Sequence, residues 1–239
     1  MMIPIAAALA LAAGIVQGVT GFGASIVMML GLPYFFDLPQ AAGISTAICI
    51  ALNASMVRRY RDAVDVKKAL MPSVLYLAVS TVCINFASRV DGVLLKKVFG
   101  GFLVLLAVYY LFLDRKTEKR KMPLPLAALC IAVSGACDGL FGIGGPLMVL
   151  YYLRTTDSQR EYLGTIQLCF GVNCLYNTAY RLITGVLQPA HLPPIGVGVA
   201  AVIAGVWIAG KLADKLDPDL LRKLTYAMIG VSGLINLIA

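Results

Sequence analysis

Residues 135–152 read Gly135-Ala136-Cys137-Asp138-Gly139-Leu140-Phe141-Gly142-Ile143-Gly144-Gly145-Pro146-Leu147-Met148-Val149-Leu150-Tyr151-Tyr152, with five glycines, a proline and an aspartate inside an otherwise apolar run. Glycine and proline weaken a continuous helix, and a carboxylate in lipid is expensive. All three in one apolar segment predict backbone with a special task. The pattern has an earlier copy. Gln17-Gly18-Val19-Thr20-Gly21-Phe22-Gly23-Ala24 aligns with Asp138-Gly139-Leu140-Phe141-Gly142-Ile143-Gly144-Gly145 at a constant offset of 121, and Gly-x-x-Gly-x-Gly is kept in both.

Around these stretches the chain is apolar. Of its 239 residues 60% are hydrophobic and 13% charged, with a mean hydropathy of +0.86. A soluble domain carries about 25% charged residues, so the composition excludes one. The long apolar runs fit helices that span a bilayer and not the alternating strands of a barrel. The net charge of +8 would suggest nucleic acid in a soluble chain; here it reads as basic loops on one side of a membrane, and no nucleic-acid partner is expected. The six cysteines (Cys49, Cys83, Cys130, Cys137, Cys169, Cys174) all fall in apolar segments without CxxC spacing, which favours buried thiols over a disulfide framework or a metal site. The start, Met1-Met2-Ile3-Pro4, reads as the beginning of a membrane segment and not as a removed signal.

Residues 3–36 form one stretch interrupted by the first motif. As a helix it would be about 50 Å long, too long for a ~30 Å core and too short for two spans and a turn. Spans are expected at 40–57, 69–87 and 93–113. A basic connector follows at 114–121, then a motif segment at 124–153 and spans at 160–183, 190–210 and 219–238. The order repeats. Asn53 with Tyr60-Arg61 matches Asn173 with Tyr180-Arg181, Gly43 matches Gly164, and Asp91 with Leu94-Leu95-Lys96-Lys97 matches Asp217 with Leu220-Leu221-Arg222-Lys223. The halves are 1–115 and 122–239, a duplication of the kind that builds many transporters.

Loop charge decides between two topologies. If each motif segment crosses once, the twenty Lys and Arg divide eleven to nine. If each is a re-entrant hairpin, residues 57–68, 114–123, 154–160 and 211–223 share a side and hold sixteen of the twenty. The positive-inside rule selects the hairpins. The expectation is an all-α integral membrane protein of two inverted repeats, each a glycine-broken re-entrant hairpin plus three transmembrane helices, with both termini on the non-cytoplasmic side.

Irregular backbone at membrane depth is tolerated only when buried in protein or lining a cavity. Two inverted hairpins would bring their tips together near the midplane. The N–H groups that begin each returning half-helix, near Ala24-Ser25 and Gly145-Pro146, favour an anion, and Pro146 suits a first helical position. Gly21, Gly23, Ala24, Ser25, Gly142, Gly144 and Gly145 are therefore candidate substrate-binding residues, with close helix packing as the competing role of the glycines. Asn53, Asn173 and Gln167, on the paired second spans, are candidates to reach the tips; interhelical bonds, worth about 0.6 kcal/mol each, compete. Asp138 either carries a coupling proton or caps N–H groups freed at the tip, and its counterpart is Gln17. Arg61 and Arg181 end their spans, either at the mouths of the path or snorkelling. His191 reads as a solvated loop residue. The motifs are not nucleotide loops, since neither G-x-G-x-x-G nor Gly-Lys-Ser/Thr occurs. No catalytic residue, cofactor or metal is expected.

In these residues, above all Gly139-Leu140-Phe141-Gly142-Ile143-Gly144-Gly145-Pro146, the duplicated motif and the length, the chain resembles the TauE/SafE sulfite exporter family, also described as probable membrane transporter proteins. Ala24 and Ser25 depart from the pattern, standing where many members have glycine and proline. The resemblance implies a bacterial inner-membrane permease for small anions, commonly sulfite or sulfur-containing organic anions. The expected function is secondary transport of such an anion by alternating access around the two glycine-rich half-helix ends; an anion channel of the same architecture is the alternative. A small anion and the bilayer are the expected partners, and a homo-oligomer is left open. An intramembrane enzyme lacks its nucleophile or metal cluster.

Overall fold

The computed structural model describes residues 2–108 and 122–212, together with 230 and 234. Nine α-helices occur among the described residues: α1 Met2–Thr20, α2 Ala24–Met29, α3 Leu38–Tyr60, α4 Val66–Ala87, α5 Gly92–Val108, α6 Leu124–Phe141, α7 Gly145–Thr155, α8 Gln159–Ile183 and α9 Leu192–Leu212. No strand occurs among the described residues. Five helical segments are long and apolar enough to cross a membrane, and the protein is an all-α membrane protein. The spans expected at 40–57, 69–87, 160–183 and 190–210 correspond to α3, α4, α8 and α9. The connector at 114–121 and the last span, 219–238 with its Asp217 match, lie outside the described residues, apart from Gly230 and Leu234.

Both breaks fall on the motifs. Gly21 and Gly23 have φ of 83° and 101°, and Gly142 has φ of 67°. These left-handed values are open to glycine at little cost and turn the chain back. A Cβ on Gly31 would meet Leu9 Cδ1 at 2.5 Å, so the segment after α2 runs back beside α1. Met122, just before α6, shares a cleft with Leu153, Arg154 and Thr155 at the end of α7. Each motif segment therefore leaves on the face by which it entered.

Loop contacts agree. Lys68 pairs with Glu161 at 2.7 Å and Asp157 at 3.8 Å. The Tyr152 hydroxyl donates to the Lys68 carbonyl at 3.1 Å, and the Asp65 N–H donates to Thr165 Oγ1 at 3.0 Å. Residues 57–68 and 154–160 thus share a face, as the hairpin reading requires and the single-crossing reading forbids. On the other face Asp37–Pro39 lie along Ala87–Lys96, and Phe36 packs edge-on against His191 with ring centroids 5.7 Å apart.

The halves exchange helices. α1 packs along α9, α6 along α4, and α3 against α8 in the middle. A Cβ on Gly14 would lie 3.0 Å from Gly205 Cα and against the Val202 carbonyl; one on Gly135 would lie 2.5 Å from the Tyr76 carbonyl. Gly14 and Gly135 are 121 residues apart, and Tyr76 and Val202 are 126 apart. The relation recurs one turn on. A Cβ on Gly18 would meet Ala209 Cβ at 2.6 Å, and one on Gly139 would meet Cys83 Cβ at 2.6 Å. Small residues let backbones approach where lipid gives helices little hydrophobic reason to associate.

Gly14→Leu is expected to lower the stability of the folded protein by about 1–3 kcal/mol through overpacking of the α1–α9 contact. Gly196 meets nothing within 4 Å among the described residues, and Gly196→Leu is expected to stay within about 0.5 kcal/mol. Thermal unfolding in detergent separates the two.

Candidate functional site

The turns themselves pass beyond the middle of the protein. A Cβ on Gly142 would sit 3.0 Å from Ala42 Cα, near the start of α3, and one on Gly21 would sit 2.5 Å from Leu163 Cδ2, near the start of α8. Tips at the midplane were expected. α1 and α6, at 19 and 18 residues, are nearly full-span helices of about 27–29 Å, which carries their ends further. The chain comes back to the centre at the next residues, Gly23 to Ser25 and Gly144 to Gly145.

There the two motifs enclose one small cavity of about 30 Å³. Gly23 and Ser25 line it from the first motif and Gly144 and Gly145 from the second, with Asn53 of α3 and Asn173 of α8. Asp138 lies on the same wall. The other candidates serve the frame. The Gly21 carbonyl accepts from Gln167 Nε2 at 2.6 Å, the Ala24 N–H donates to Gln17 Oε1 at 3.0 Å, and the Gly142 N–H closes α6 on the Asp138 carbonyl at 2.8 Å. The glycines divide by position: Gly18 and Gly139 pack helices, Gly21, Gly23 and Gly142 make turns, and Gly144 and Gly145, with Gly23, line the cavity. Pro146 stands at the second helical position, after Gly145.

Gln17 is the residue sequence reasoning undervalued. Its Nε2 donates to Asn53 Oδ1 at 3.0 Å and Gln167 Oε1 at 2.9 Å while its oxygen takes the Ala24 N–H. One buried amide thus ties the first tip to α3 and α8. Its alignment with Asp138 was the available signal. Asp138 does not cap its own tip in this way. Its carboxylate accepts from Asn177 Nδ2 of α8, and Tyr76 of α4 lines the cavity beside it.

Two expectations fail. Arg181 is neither at a mouth nor snorkelling; it is 1% exposed. Its Nη2 donates to the Asp138 and Gly139 carbonyls at 3.1 and 3.0 Å, satisfying the C-terminal end of α6 where a cation is favoured. α6 penetrates far enough to reach it. Arg61 is exposed and pairs with Asp62 at 3.5 Å. His191 is buried, not solvated; its Nδ1 accepts the Gln188 N–H at 3.0 Å in a capping box. Cys49, Cys130, Cys169 and Cys174 are buried, and Cys83 and Cys137 half-buried, all as free thiols. Tyr76 and Phe170 also line the cavity, and no spacing in the sequence marked them.

The family model for sulfite exporter TauE/SafE matches residues 6–235. The chain belongs to the sulfite exporter TauE/SafE family. This TauE/SafE protein is also similar to a probable membrane transporter protein of Methanocaldococcus jannaschii, 24% identical over 263 residues that cover 100% of this chain and 96% of the relative. No solved structure matches it. It is a multi-pass membrane transporter.

Gln17→Leu strands a buried N–H and two amide oxygens, and is expected to cost about 3 kcal/mol. A lowered thermal midpoint in detergent, with the protein still inserted, is the readout.

Proposed function

We propose that this transporter moves a small anion, sulfite or a sulfur-containing organic anion, by alternating access around the central cavity. One observation carries the reading: residues from both glycine motifs line one cavity, beside the start of a returning helix. α7 presents first-turn N–H groups without intrahelical acceptors, and its dipole favours negative charge. Gly144 and Gly145 let a ligand come close to this backbone. The family's name supplies the sulfur chemistry.

The two halves, 1–115 and 122–239, act as inverted repeats of one transport domain. The paired contacts at offsets of 121 and 126 support this, as does the return of each motif segment to its face of entry. Rocking of one repeat against the other would then open the cavity alternately. The face bearing residues 57–68 and 154–160 is the cytoplasmic one by its basic loops, which puts both termini outside in an inner, or plasma, membrane. Phe22 stands on the route from that face. It lines a cleft of about 340 Å³ together with Val149 and Thr156, and a Cβ on Gly145 would come within 4.0 Å of it. It sits on the turn hinged by Gly21 and Gly23. Asp138 is the carboxyl available to carry a coupling proton.

Reconstituted protein is expected to show saturable uptake of one small anion (sulfite, sulfate, thiosulfate, sulfoacetate and acetate form the panel) that responds to a pH gradient. Gly144→Leu, whose side chain fills the cavity against Tyr76, should abolish uptake in inserted protein; normal flux would remove the site from this motif. Asp138→Asn should remove the response to the pH gradient, and an unchanged response would leave the carboxylate as a structural acceptor. Non-saturating flux of several anions would favour a channel.

A further inference from the structure

Asp138 lies on the wall of the central cavity, and Asn177 of α8 donates from Nδ2 to its Oδ2. That amide is itself held. Ser80 of α4 donates from Oγ to Asn177 Oδ1 at 3.1 Å. Ser80 and Asn177 are fully buried, and Asp138 is 4% exposed. An ionised carboxylate can only accept, so the Asn177 oxygen has to turn away from it. Ser80 supplies the donor that this orientation requires. Three helices thus give one side chain each to a directed chain that ends on the cavity wall: α4 from the first half, α6 and α8 from the second.

The hairpin does not need this chain in order to turn. The repeat sets Gln17 against Asp138 at an offset of 121, Val57 against Asn177 at 120 and Val206 against Ser80 at 126. Packing bears out the last pair. A Cβ on Gly139 would lie 3.1 Å from Ser80 Cα, and one on Gly18 would lie 3.6 Å from Val206 Cα. The first half forms its tip with two valines where the second has Asn177 and Ser80. The polar pair therefore accompanies the carboxyl and not the turn. Nor does the nearby cation replace it. Arg181, one turn beyond Asn177 on α8, commits Nη2 to the Asp138 and Gly139 carbonyls. The other ionisable side chains around Asp138 are Tyr76 of α4, Cys49 of α3 and Cys174 of α8 on the cavity wall, Cys169 of α8 and Cys137 of α6 itself. α7 brings Gly145 to that wall and no ionisable group.

We propose that Asn177, oriented by Ser80, is a positioning residue for Asp138: it sets the pH at which the carboxyl on the cavity wall takes up and gives up the coupling proton. The proposal rests on the coupling role put forward for Asp138 above. A directed N–H donor favours the ionised form, because a hydrogen bond to a charge is about twice as strong as one to a neutral group. An amide also serves the neutral form. Turned over, its oxygen accepts the proton of the acid, and the Ser80 hydroxyl accepts where it had donated. A fixed cation in the same place could serve only the carboxylate.

Infrared difference spectroscopy reads the protonated carboxyl directly, through its C=O stretch. Full-length protein in phosphatidylcholine vesicles is taken through a pH series with no transported anion present. The band that Asp138→Asn removes belongs to Asp138, and its midpoint in the wild type is the reference. Asn177→Leu keeps the volume and loses the donor. The ionised form is then less well held, so protonation begins at higher pH. The midpoint is expected to rise by about one unit or more, the equivalent of one hydrogen bond to a charged group. Ser80→Ala frees the amide and should raise the midpoint by less, whereas Ser80→Thr keeps the hydroxyl and should stay with the wild type. If the leucine variant does not fold, the two Ser80 variants decide. A folded Asn177→Leu protein whose midpoint stays or falls overturns the positioning role and leaves Asp138 as the carrier. An unchanged midpoint in Ser80→Ala overturns the part given to Ser80. If Asp138→Asn removes no titrating band, Asp138 does not change its protonation, and both readings fall.

Discussion

A helix that stops at membrane depth leaves N–H or C=O groups with no water to receive them. Both hairpin tips in this protein face that deficit, and the surrounding helices are placed so as to meet it. α3 and α8 pack together in the middle because they carry the partners: Asn53 on one, and Gln167, Asn177 and Arg181 on the other. The first tip is closed by amides. Gln17 holds the Ala24 N–H, and Gln167 returns to the Gly21 carbonyl. The second is closed by charge, with Arg181 on two carbonyls at the end of α6 and the Asp138 carboxylate on Asn177. One architecture thus meets the same need with two chemistries.

The glycine motif is a composite for the same reason. Its first glycine, Gly18 or Gly139, faces a neighbouring helix at a spacing that any larger residue would break. The next, Gly21 or Gly142, lies in left-handed backbone, where a side chain costs roughly 1–2 kcal/mol. The turn follows the packing contact by one helical turn, so α1 and α6 are held against α9 and α4 up to the residues where they reverse. Packing and turning are joined in one run of about eight residues, and this is why the motif survives as a recognisable unit in both halves.

Much of this was legible in the sequence because it depends on bulk quantities. Span positions follow from hydropathy, the breaks from glycine and from the excess length of 3–36, and the shared face of 57–68 and 154–160 from charge. What was not legible depends on how far an element reaches. Arg181 near the end of a span reads as an interfacial residue until α6 proves long enough to bring its last carbonyls alongside. His191 reads as solvated until Phe36 covers it. Tyr76 sits in α4 without a local signal, since its hydroxyl matters only through Asp138 and Gly144, more than sixty residues away. Gln17 was visible as the counterpart of Asp138, but an uncharged side chain in an apolar helix attracts little notice, although its burial demands as complete a set of partners.

The divergence between the halves bears on how strongly the cavity can hold an anion. Gln17 answers Asp138, and exposed Arg61 answers buried Arg181, so these two buried ionisable side chains are confined to the second half. Arg181 stands at the end of α6, on the Asp138 and Gly139 carbonyls, and the Asp138 side chain lies on the cavity wall. Arg181 does not line the cavity, so an anion of the proposed kind would meet the first turn of α7 and the polar side chains around it. Dipoles of this kind favour a single negative charge by a few kcal/mol at most, against the several that a buried, unpaired guanidinium would add. A transport site has to admit its ligand and then release it on the other side. A wall that offers helix-end N–H groups and polar side chains without a cation among its lining residues supplies recognition without the depth of binding that would hold the substrate in place.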